Sequence, residues 1–254
     1  MPLTLQVTED LAKLTAAIGD IGKRHIPRSE VIALTRTMSI AKQDERDAMQ
    51  RELDRPTPWA LNGLQLRPAT FTNPTAELWL KEFAPKGTPA INFLSPEIYG
   101  GERRQKRFER ALQFAGLMPQ GMWAMPGAAA PRDAYGNVPG PFIVKMLSQL
   151  QAFGEQGYRA NESARTHARR VKRNPNIGDF FVVLQQRGKL KPGIWQRMHF
   201  AHGNAAKPIF IYTRTPPKYT KRYRFFETAQ ATILREFPRQ FQIAFDEAMQ
   251  RFGA

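Results

Sequence analysis

The chain has 254 residues, 42% hydrophobic and 24% charged, which is enough to bury a core and places it among globular rather than disordered sequences. It contains no cysteine, which excludes disulfides, thiolate catalysis and cysteine-based zinc sites. The formal net charge is +16, and three stretches carry most of it: residues 103–110 hold five cations and one acid, residues 158–173 six and one, and residues 214–224 five and none. Charge concentrated in this way favours a polyanion or an acidic protein surface as partner over a merely solvated face.

Thr8-Glu9-Asp10 reads as a helix N-cap with an acidic first turn, after which Leu11, Leu14, Ile18 and Ile21 keep a helical rhythm to Lys23 and Arg24. Pro27 interrupts, and Ser29-Glu30 caps a second segment to about Asp54, with Val31, Leu34, Met38, Ala41, Met49 and Leu53 inward. The two segments form either one helix kinked at Pro27 or two packed helices. Lys42, Asp44, Glu45, Arg46, Asp47, Arg51 and Glu52 make the polar face of the second, a pattern of solvated ion pairs. Residues 63–71 and 77–83 alternate as strands, and 91–94 reads as a weaker one.

The middle of the chain has a different texture. Residues 103–117 form a basic helix with Phe108, Ala111, Leu112 and Ala115 inward. Residues 118–141 are rich in Pro, Gly, Ala and Met and also carry Met122, Trp123, Met125 and Tyr135, too apolar for a plain linker. The stretch is either an arm that orders on a neighbouring subunit or a loop packed on its own domain. Pro141 opens a short helix to about Phe153, and residues 155–176 are basic, polar and exposed.

Three short apolar runs follow, 180–184, 193–198 and 208–212, each bounded by Gly, Pro or Asn as adjacent strands are. A basic turn then leads into a long helix with apolar residues at 226, 229, 233, 237, 241, 244, 248 and 252. The expected fold is α+β, a mixed or antiparallel sheet flanked by long N-terminal and C-terminal amphipathic helices with a loop-rich central insertion. As one domain, its core is 1–83 and 177–254 and its insertion 84–176. No apolar run reaches the roughly 18 residues that span a bilayer, and Met1-Pro2-Leu3-Thr4 does not open a signal peptide, so no membrane partner is expected.

Sites of chemistry are sparse. His199 and His202 have i, i+3 spacing without a nearby carboxylate, and His167 lies in a cationic run that repels a metal ion. Phosphate-loop, dinucleotide and Gly-x-Ser-x-Gly motifs are absent. The expectation is a protein that is not an enzyme and holds no metal or cofactor. In the turn from Pro216 to Arg224, Tyr219 and Tyr223 interleave with Lys218, Lys221, Arg222 and Arg224, a pairing able to stack bases and neutralise phosphates. Cations at a helix start oppose its dipole, which points to an external anion. Arg169, Arg170 and Lys172 are further candidates to face DNA or a partner.

Gly193-Ile194-Trp195-Gln196-Arg197, Lys207-Pro208-Ile209-Phe210-Ile211-Tyr212, Tyr219-Thr220-Lys221-Arg222 and the closing helix together resemble the C-terminal half of phage tail-completion and head–tail joining proteins, the minor tail protein Z type among them. Residues 29–53 look similar to that family's N-terminal helix, while 84–176 have no counterpart. The resemblance implies a virion protein at the head–tail junction, made in the host cytoplasm. It would form a homo-oligomeric ring around the DNA path and bind the portal or connector and tail proteins. The alternative is a free, non-specific basic nucleic-acid-binding protein. On the first reading Lys218, Lys221, Arg222 and Arg224 face DNA or an acidic surface, and Met122, Trp123, Met125 and Tyr135 contact a neighbour.

Overall fold

The computed structural model describes residues 18–19, 21–85, 87–154 and 161–252. A π-helical turn, Ile21–His25, leads directly into α1 (Ile26–Glu52). One helical turn α2 (Pro58–Leu61), strands β1 (Leu64–Arg67) and β2 (Glu77–Leu80) and helix α3 (Ala90–Tyr99) follow. Then come β3 (Gly101–Glu102), α4 (Arg107–Phe114), β4 (Trp123–Pro126), α5 (Gly140–Gln149) and α6 (Ala164–Arg173). The chain ends with β5 (Ile177–Val183), β6 (Gly193–Phe200), β7 (Gly203–Thr213), β8 (Lys218–Tyr219) and α7 (Phe225–Phe252). The fold is α+β with antiparallel strand pairs and long helices near both ends, as expected. Among the described residues no helix is long and apolar enough to cross a membrane.

The chain folds as two compact units rather than a core with an insertion at 84–176. The first takes residues 1–100 and 220–254, the second residues 101–219. The reason lies in the partners of the strands. Strands β5–β7 bury their apolar face against α4 and α5, not against the terminal helices, so the basic turn at 214–224 crosses from one unit to the other.

In the first unit α1 and α7 run antiparallel, as cross-links from Glu45 to Tyr223, Asp44 to Thr232 and Arg36 to Glu247 require. Their seam is made of small and polar residues. Ser29, Ala33, Thr37, Ala41 and Glu45, each four residues on, are buried on α1; Thr232, Glu236, Ala244 and Ala248 are buried on α7. Small side chains at four-residue spacing let two helix axes come close. Ala41, Met49, Ala244 and Ala248 are buried as expected, but Phe226 and Ile233, also expected inward, are exposed. Phe237, Phe241 and Phe245 stack along one flank at centroid separations of 6.3 and 6.2 Å. Ser29 is no N-cap: its hydroxyl donates to the carbonyl of His25 inside a continuing helix. Residues Thr8 to Leu14 lie outside the described part.

The core of this unit joins Met49 of α1, Leu64, Leu80, Leu94, Ile98, Tyr223 and Phe225. The expected strand at 91–94 is helical instead. Ala90, Leu94 and Ile98 fall one turn apart, and their buried face packs beside Gly63, where a Cβ would lie 2.7 Å from that of Ala90.

In the second unit the strands are ordered β4-β7-β6-β5. Phe108 and Leu112 of α4 and Met146 and Leu147 of α5 pack on Phe180, Ile194, Phe210 and Tyr212. Each such side chain contributes about 1.5–3 kcal/mol on full burial. Gly193 sits where β6 meets β7 so closely that a Cβ would lie 2.2 Å from the carbonyl oxygen of Phe210.

Residues 118–141 take the second of the two expected forms, a segment packed on its own unit. β4 pairs with β7 from Trp123↔Thr213 to Pro126↔Phe210, Met118 and Ala124 are buried, and Met122 packs on the core. The Trp123 indole donates to the carbonyl of Arg103 at 3.2 Å.

Candidate functional site

The two units divide the charge unequally. Residues 101–219 contain twenty cations and six acids, 20 − 6 = +14, whereas the other unit has eighteen cations and sixteen acids, 18 − 16 = +2. The positive field of this protein therefore belongs almost wholly to the second unit.

Its densest part is α6, Ala-Arg-Thr-His-Ala-Arg-Arg-Val-Lys-Arg, with five cations and no acid in ten residues. Ser163 caps it, its hydroxyl accepting from the backbone N–H of Thr166 at 3.3 Å. The helix buries no side chain fully, so hydrophobic packing does not hold it. Ion pairing does. Arg170 grips Glu162 with two bonds, 2.9 and 3.1 Å, and also Asp179 at the start of β5. His167 adds a 3.0 Å contact to Asp179. Burial works against ionisation of Asp179, yet His167 and Arg170 hold its carboxyl below the ordinary range. Arg170 is thus an internal strut rather than a partner-facing cation. Arg165, Arg169, Lys172 and Arg173 are exposed and have no acid within ion-pair distance among the described residues.

Between α5 and α6 lies a cleft of about 910 Å³. Lys145 and Ser148 line it from α5, and Arg169 and Arg173 from α6. Gln149 also forms its wall, with a side-chain oxygen that is shut off from solvent and has no hydrogen-bond partner among the described residues.

The other sequence candidates scatter. Lys218 is exposed on β8 of the second unit, while Lys221, Arg222 and Arg224 belong to the first. There the chain supplies its own acids. Lys221 pairs with Glu227 at 2.7 Å, and the Arg224 backbone N–H donates to Glu52 at 3.1 Å. Carboxylates at the start of α7 suit its dipole, so the cations there do not require an outside anion. Tyr223 is fully buried and unable to stack a base. Of the four arm candidates, Met122 and Trp123 are partly buried, and Met125 and Tyr135 are exposed. The His199 ring contacts Asn204 at 2.7 Å, and no group of three or more His, Asp or Glu is placed to hold a metal among the described residues.

Two buried carboxylates escaped the sequence reading. Glu45, expected on the solvated face of α1, is fully buried and accepts from the Tyr223 hydroxyl at 2.6 Å. Its place in the series 29, 33, 37, 41, 45 is the signal that marks it as a seam position. Glu109 is also fully buried, paired with Arg103 at 2.5 Å and accepting from the backbone N–H groups of Lys106 and Ala124. Arg103 is therefore a structural cation within the basic stretch 103–110.

No family model, no curated protein and no solved structure matches this chain.

Proposed function

We propose that this chain is a structural binding protein of a tailed-phage neck or tail, which turns its second unit toward an anionic macromolecule. The observation that carries the reading is the charge division, +14 in residues 101–219 against +2 elsewhere. A charge of that size on 119 residues repels itself, and a polyanionic partner relieves the repulsion. The near-neutral first unit, with its long two-helix seam, is suited to protein neighbours.

The placement in a phage virion rests on the resemblance of 193–224 and the closing helix. Those motifs fall in both units, with the strands in the second and the helix in the first. The ring reading predicts either a large oligomer by mass measurement of the purified protein or a monomer that assembles on connector or virions. Electron microscopy of particles carrying a labelled copy tests the neck position. Label absent from particles, with a persistent monomer bound tightly to DNA, favours the free nucleic-acid-binding alternative.

A further inference from the structure

We infer that the cleft between α5 and α6 holds the phosphodiester backbone of a nucleic acid, without regard to base sequence. The inference rests on the reading of the second unit as anion-facing, and adds the class of ligand and the contacts.

Arg170 and Glu162 neutralise each other on the cleft wall, and among the described residues the remaining lining then holds three cations, Lys145, Arg169 and Arg173, and no acid. They converge from two separate helices. Guanidinium groups match phosphate oxygens in a two-pronged geometry. Thr166 and Asn174 add a hydroxyl and an amide beside them, of the kind that meets sugar and phosphate.

Among the described residues no aromatic or aliphatic side chain lines the cleft. From these residues a base gains no stacking partner and an apolar peptide anchor no pocket, so they read backbone alone. Arg165, Arg169 and Arg173 lie at i, i+4 and i+8, in steps of about 6 Å along the helix axis. This row carries the positive charge out of the cleft along α6. A repeating polyanion meets the whole row; a single phosphate ion meets one part of it.

The test uses the full chain with a short DNA duplex of arbitrary sequence, a single strand of the same length, polyglutamate and inorganic phosphate, each titrated across salt. Both nucleic acids are expected to bind indifferently to sequence, and the tighter of the two identifies the strand form that supplies the backbone. For duplex, three cleft contacts contribute about −2.7 to the slope of log K against log salt. The double variant Arg169→Gln, Arg173→Gln should lose about 1.8 of that slope and weaken binding roughly tenfold or more, with an unchanged melting curve. The control Arg187→Gln, Lys189→Gln removes the same charge from the turn after β5 and should lose less than half as much. Equal losses in the two variants overturn the cleft, leaving diffuse attraction by the unit. Preference for polyglutamate, or binding of free phosphate without nucleic acid, overturns the ligand class. Failure to bind any polyanion overturns the reading of the second unit itself.

Discussion

Replacing Glu45 with Gln should stabilise the α1–α7 pair at neutral pH and leave it nearly unchanged in acid. Glu45 is fully buried and accepts from the Tyr223 hydroxyl at 2.6 Å. Burial pushes its carboxyl up to about 7, opposed by the Tyr223 hydroxyl and the backbone N–H of Ala229 and aided by the nearby carboxylates of Glu52 and Asp44. The ordinary value is 4.5. Because the folded value is the higher, the proton favours folding. That stability is fully present below about pH 4.5 and is lost as pH rises through about 7. At about 1.36 kcal/mol per pH unit, the loss approaches roughly 3 kcal/mol above neutrality. Gln keeps the hydrogen-bond acceptor for Tyr223 and carries no charge, so it escapes this loss. Native-state hydrogen exchange of the amides of residues 41–49 reads the local opening free energy directly. Measured from about pH 5 to pH 8, the parent should weaken by roughly 2.5 kcal/mol relative to the variant. Asp44, which Thr232 and Arg235 hold below its ordinary value against the effect of burial, titrates in both proteins and cancels. Parallel pH profiles for the two would refute the assignment of Glu45 as a buried, protonated seam residue.

Glu109→Gln should destabilise the second unit by about 3–5 kcal/mol in denaturant unfolding, because it leaves the enclosed Arg103 guanidinium without its counter-charge. Gly193→Ala should cost at least roughly 2 kcal/mol, since the new methyl group meets the Phe210 carbonyl where β6 and β7 must stay paired; a wild-type midpoint would show that the strands part freely. Deleting residues 118–140 should abolish the fold of the second unit, because β4 closes one edge of its sheet; retained near-ultraviolet dichroism would mean that the sheet holds together without β4.

Much of the architecture was legible in residue patterns. The runs 193–198 and 208–212 lie within strands, while 63–71, 77–83 and 180–184 are strand only over 64–67, 77–80 and 180–183, because half-buried pleats demand that spacing only where a partner strand pairs. Both long helices were legible from their period. Their contact faces were legible only in part: Ala41, Met49, Ala244 and Ala248, expected inward, are buried, but a rule that seeks bulky apolar residues passes over the Ser, Thr and Glu of the seam. Phe226 and Ile233 were expected inward for that reason. The helix at 90–99 was missed because four apolar-leaning residues fit either period, and only the repeat to Ile98 decides.

The candidate site was half legible. The cations of α6 stood out as a run, yet no spacing rule separates Arg170 from Arg169. That distinction needs Glu162 and Asp179, eight and nine residues away in sequence, folded against one side of the helix. Lys145 entered the cleft from another helix, which a linear charge count does not register. The unit boundary was hidden for a similar reason: it cuts the basic stretch 214–224 between Tyr219 and Thr220, so cations adjacent in sequence serve different bodies.

The most direct test of the central claim is hydrogen exchange of the full chain with and without a saturating polyanion such as duplex DNA. The account predicts new protection within residues 101–219, greatest along 164–173, and little change in α1 or α7. Protection confined to the first unit, or none anywhere at a salt concentration of about 50 mM, would contradict it.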